Sequence, residues 1–182
     1  MHNNEQVLNI FPKVTSDNAT DSLILALISV PKTVDNKRKV KPVLRQNFKT
    51  YKYSVSSDDG NHKFFIIIKD HLVLPNKFSV ILNYEAEDSR SGVNLFRCNS
   101  PHTYGPTSHY DFHIHTLMAE DWQVGKTQHQ RKTESAKYRT ISGAIKHFIE
   151  FCSVQDTRNV FEDFIGLPND PLEKRQISLD DI

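Results

Sequence analysis

The residues best suited to chemistry lie in one short stretch. Residues 109–115 read His-Tyr-Asp-Phe-His-Ile-His. In an extended chain successive side chains point to opposite sides, so His109, Asp111, His113 and His115 would share one face, and Tyr110, Phe112 and Ile114 the other. Same-face neighbours then stand about 7 Å apart. His102 precedes this segment across an expected loop, Ser100 to Ser108, that holds Pro101, Gly105 and Pro106.

Three uses of such a segment compete. A His-x-His pair puts two imidazoles on the same side of a strand, as a metal site on a β scaffold requires, since neutral ring nitrogens bind zinc at about 2.0 to 2.1 Å. His109 and His115 are too far apart to share an ion on a straight strand, so the expected ligands are His113 and His115, completed by Asp111 or His102. Zn2+ or another divalent metal is the cofactor this implies. No HExxH and no paired CxxC spacing supports it further. Alternatively, one histidine acts as general base and another as general acid, because the unperturbed imidazole titrates near neutrality. With Tyr104 or Tyr110 and a basic neighbour, that pair suits RNA cleavage. The bland alternative keeps the histidines as hydrogen-bonded residues at a sheet rim.

Positioning this segment requires a sheet. Polar cap choices at Ser16 or Asp17 precede Leu23, Leu25, Leu27 and Ile28, which predicts a helix ended by Pro31. From Phe48 the period becomes two. Tyr51, Tyr53 and Val55 alternate with Lys52 and Ser54, residues 57–61 turn the chain, and Lys63 to Lys69 reads as a buried strand. Phe78 to Tyr84 gives a third strand, residues 89–92 a turn, Val93 to Cys98 a fourth strand, and the histidine segment a fifth. A helix from about Thr140 carries Ile141, Ala144, Ile145, Phe148, Ile149 and Cys152 on one stripe. Val160, Phe161, Phe164 and Ile165 suggest a further short one. The expected fold is α+β: a mainly antiparallel five-stranded sheet, with an N-terminal helix and one or two C-terminal helices packed on it. Residues 1–15 read as a flexible arm, 16–166 as one globular domain and 167–182 as a flexible tail.

Other features carry weaker signals. Residues 31–46 hold Lys32, Lys37, Arg38, Lys39, Lys41 and Arg45 against Asp35 alone. Lys37, Arg38 and Lys39 are candidate phosphate binders, although a solvated loop has the same composition. Arg97 alternates with Phe96 and Cys98 and would point with Leu95, so it can line the site and hold a phosphate. After Met118 comes a long polar stretch expected as a loop. In it Glu120 and Asp121 read as solvated rather than as an acid pair, and Trp122 as core. Across 182 residues, 23 basic side chains balance 22 acidic ones, so net charge selects no partner. Two cysteines without a paired motif suit a reducing compartment, and Cys98 reads as a small buried hydrophobe. No apolar run reaches membrane-spanning length, and no signal-peptide pattern opens the chain. A cytoplasmic protein with no membrane partner is the expectation.

One resemblance rests on particular residues. The stretch Val93-Asn94-Leu95-Phe96-Arg97-Cys98-Asn99-Ser100-Pro101-His102, then His113-Ile114-His115, then Phe148 to Val154, resembles small bacterial proteins of unknown function that share this order. More distantly it is similar to the TumE-type toxins of bacterial toxin–antitoxin loci. The similarity spans residues 78–154, with Arg97, His102, His113 and His115 at matching positions. It differs in the loop of residues 104–110 and in the added His109 and Asp111. It implies an α+β domain from bacterial or phage genomes, beside defence or mobility genes. The expectation is then a nucleic-acid-acting, RNA-cleaving protein using His102, Asp111, His113, His115 and Arg97, with RNA and a cognate antitoxin as partners. The alternative is a non-catalytic interaction or regulatory protein of bacterial or phage origin, antitoxin-like or anti-defence, whose histidines are structural or hold zinc.

Overall fold

The computed structural model describes residues 12–36, 40–74, 76–102, 109–126, 132–157 and 160–165. The candidate phosphate binders Lys37, Arg38 and Lys39 lie outside these residues, as do the expected tail and most of the expected arm. Of that arm, residues 12–15 are described, and there Val14 is buried in the core with its amide on Tyr84 Oη.

Nine strands form one curled, mixed sheet. They are β1 (Lys32–Val34), β2 (Val43–Arg45), β3 (Phe48–Ser57), β4 (Lys63–His71), β5 (Phe78–Tyr84), β6 (Val93–Asn99), β7 (His113–Thr116), β8 (Lys132–Ser135) and β9 (Val154–Gln155). The order across the sheet is β8-β7-β6-β5-β4-β3-β1-β9, with β2 paired to β3. The α+β class is as expected, but the sheet is not the five-stranded one expected: it has more strands and is mixed, since β1 and β9 pair in parallel while the other pairs are antiparallel. The short outer strands account for the difference. The β2–β3 hairpin turns through Gln46 (φ 46°) and Asn47 (φ 67°), a left-handed pair usually written Asn-Gly.

The central hairpins follow from alternation. Tyr53 and Val55 of β3, Phe64, Ile66 and Ile68 of β4, Val80 and Leu82 of β5, and Phe96 and Cys98 of β6 are all buried on one face. That face carries the helices α1 (Asp21–Ser29), α2 (Ala119–Gln123), α3 (Ile141–Phe151) and α4 (Glu162–Ile165). Phe96 packs on Phe148 and Phe151 of α3, Tyr53 on Phe161, Tyr51 on Phe164 of α4, and Tyr84 on Trp122 of α2. Thr20 and Thr140 cap α1 and α3, their side chains accepting from the amides of Leu23 and Gly143.

Two expectations change here. Of the acidic pair, Glu120 is exposed and Asp121 buried at the start of α2, in a stretch expected as loop. Leu95 does not point with Arg97: an irregularity between Leu82 and Asn83 leaves Leu95 outside the register, and it enters the core. Trp122 and Cys98 are core residues, as read from the sequence.

Candidate metal centre

The histidines sit on the sheet face opposite the helices. Strand register places two rows across that face. One runs Ile67, Ile81, Arg97, His115 and Thr133; the next runs Lys69, Ser79, Asn99, His113 and Ser135. The His-x-His pair therefore lands side by side with Arg97 and Asn99 opposite it.

Only residues 113–116 of the histidine segment are strand. Residues 109–112 leave the sheet, and His109 makes an isolated antiparallel bridge with His102, closed by two backbone hydrogen bonds of 2.8 and 2.9 Å. This pairing brings both rings onto the pair. The ring of His109 lies 4.3 Å from that of His113 and 5.3 Å from that of His115, while His102 lies 4.9 Å from His113. The bend brings together residues that a straight strand would hold about 20 Å apart.

Three of these side chains, His102, His113 and His115, offer ligand nitrogens within 4.8 Å of one another. A tetrahedral zinc ion with bonds of about 2.0 to 2.1 Å needs nitrogens roughly 3.4 Å apart, so rotamer adjustments of about an ångström close the site. Asp111 is exposed and stands outside this group; His102 takes the place expected for it. Its backbone serves instead, since His113 Nδ1 donates to the Asp111 carbonyl at 2.8 Å. That bond fixes the tautomer and leaves Nε2 with its lone pair, the usual outer support of a metal-bound imidazole. Asn99 Nδ2 donates weakly to this lone pair across 3.4 Å. His115 Nδ1 shares a 2.9 Å hydrogen bond with the Thr133 hydroxyl. Tyr138 holds the backbone below, its hydroxyl 2.6 Å from the carbonyl of His113 and 3.2 Å from that of Asn99.

Electrostatics favour uncharged rings. Burial, then the neighbouring histidines and Arg97, push His113 down to about 4 and His115 to about 3. Burial lowers His102 too, helped by His109, Arg97 and Lys77. Neutral imidazole is the form that ligates metal. Arg97 lies beneath, and its Nε is buried without a hydrogen-bond partner among the described residues. Sequence reasoning found the histidines and Arg97 but missed Asn99, Thr133 and Tyr138. Alternation on β6 pairs Asn99 with Arg97 and gave a signal for the first; Thr133 and Tyr138 left none.

Comparison with protein-family models, with curated proteins and with solved structures finds no match to this chain. Among the described residues, no helix is long and apolar enough to cross a membrane.

Proposed function

We propose that the chain is a metal-dependent phosphoesterase acting on nucleic acid, RNA foremost, with His102, His113 and His115 as ligands. The observation that carries the reading is the convergence of three imidazole nitrogens beside half-buried Arg97, whose Nε has no hydrogen-bond partner among the described residues. These three imidazoles would hold a divalent ion, whose chemistry there would be Lewis-acid polarisation of a phosphate and activation of water. Arg97 binds a phosphate oxygen and offsets charge as it develops. His113 is held by the Asp111 carbonyl and His115 by the Thr133 hydroxyl, which limits the ring movement needed to close on an ion. A toxin-like or defence role is the setting that the resemblance read from the sequence would imply for such an activity.

A second reading is a structural zinc site in a non-catalytic interaction protein. It is favoured by the burial of His113 (3% exposed) and His115 (8%). The test is cleavage of a labelled RNA by the zinc-loaded protein. Loss of cleavage in His113→Ala and His115→Ala, with the fold retained, supports the enzyme. Unchanged cleavage in both refutes it.

A further inference from the structure

The charged strand residues of the open sheet face are all basic. Four cationic side chains project from it on strands β3 to β8: Lys52, Lys63, Lys69 and Arg97. No strand residue on this face between β3 and β8 is an aspartate or glutamate. None of the four has an ion-pair partner among the described residues. Gathering like charges without counter-ions is unfavourable unless an anion occupies the surface.

The charges lie along a continuous path. At one end Lys52, Lys63 and Phe65 line a groove of about 860 Å³, which Arg90 also borders. Glu85 and Glu87 line it too, and Glu87 is paired with Lys13. Lys52 lies over the half-buried Phe65 ring, 3.5 Å from its centre. From Lys52 the register row passes Ile67 and Ile81 to Arg97 and His115. Four inter-strand steps of about 4.8 Å make this path roughly 19 Å along the sheet. Alternating cations with an aromatic and apolar floor suits phosphates and bases of an unpaired strand. The recessed histidines at its end admit a flexible strand better than a rigid duplex.

We propose that this face binds single-stranded nucleic acid laid across the sheet, from the groove at Lys52 and Lys63 over Ile67 and Ile81 to Lys69 and Arg97. The strand thereby presents a phosphodiester to the histidine cluster; this last step rests on the phosphoesterase reading, whereas binding does not. The test is fluorescence anisotropy of the full chain with labelled twelve-nucleotide RNA, the same DNA strand and the DNA duplex, in EDTA, over a salt series. Single strands of either sugar bind more tightly than the duplex. In the Lys52→Ala/Lys63→Ala variant, whose replaced side chains are exposed, affinity falls about tenfold and the slope of log K against log salt drops by about 1.4, near 0.7 per lost phosphate contact. Wild-type affinity in that variant, or a duplex bound as tightly as the single strands, overturns the track. Strand binding that depends on these lysines in a protein that takes up no zinc leaves the track standing and removes the phosphoesterase. Zinc-dependent cleavage with binding indifferent to the lysines does the reverse.

Discussion

Replacing Lys32 with methionine should change how stability depends on pH. Lys32 has no exposed surface, and its Nζ donates to the carbonyls of Ile28 (2.7 Å), Val30 (2.7 Å) and Cys152 (3.1 Å). Three protons meet three acceptors where the C-terminal ends of α1 and α3 converge, so the basic loop read from the sequence begins with a structural lysine. Burial pushes its pKa down from 10.5 to about 8, against the opposing influence of Cys152 and Asp58. Between those values the unfolded chain binds more protons than the folded one, so stability rises with pH across that window. From pH 7 to pH 9.5 this linkage amounts to about 2 kcal/mol for one group. Urea unfolding, followed by the fluorescence of buried Trp122, reports it. The stability of wild type minus that of Lys32→Met is expected to grow by about 2 kcal/mol over that range, with titrations common to both proteins cancelling. A difference that stays level or shrinks would refute the reasoning: the three carbonyls would then outweigh burial and hold the ammonium at its ordinary pKa.

Two further substitutions probe the frame of the site. Tyr138→Phe removes the hydroxyl that ties the His113 and Asn99 carbonyls and should cost about 1 to 2 kcal/mol in urea unfolding; it should also weaken zinc binding, which a purely peripheral hydroxyl would not affect. Gly92→Ala should cost at least about 2 kcal/mol with an unchanged urea slope. Its φ is +70°, and a Cβ there would stand 2.3 Å from Asn83 Oδ1 and 2.7 Å from the Tyr84 carbonyl.

The parts of the fold that were legible are those where pattern and packing agree. Tyr51 to Val55, residues 64–68 and the stripe from Ile141 to Cys152 alternate or recur as their burial requires, and they became β3, β4 and α3. The outer strands were hidden for identifiable reasons. β8 is Lys-Thr-Glu-Ser, with no apolar face of its own; β1 sits in a lysine-rich stretch; and β9 forms because Ser153, at φ 51°, turns the chain from α3 straight into pairing with β1. The site was half legible. Alternation correctly put His113 and His115 on one side, but extending it back to Asp111 assumed a strand that ends at His113. The bridge between His102 and His109 joins residues seven apart without an alternating signature, and it decides which third side chain could join His113 and His115.

Whether His102, His113 and His115 bind one metal ion together is decided by zinc titration of the full chain in a calorimeter. One zinc per chain is expected, with affinity falling at least tenfold in each of His102→Ala, His113→Ala and His115→Ala and unchanged in Asp111→Ala. Absence of uptake, or uptake that these three substitutions leave intact, would rule the shared site out.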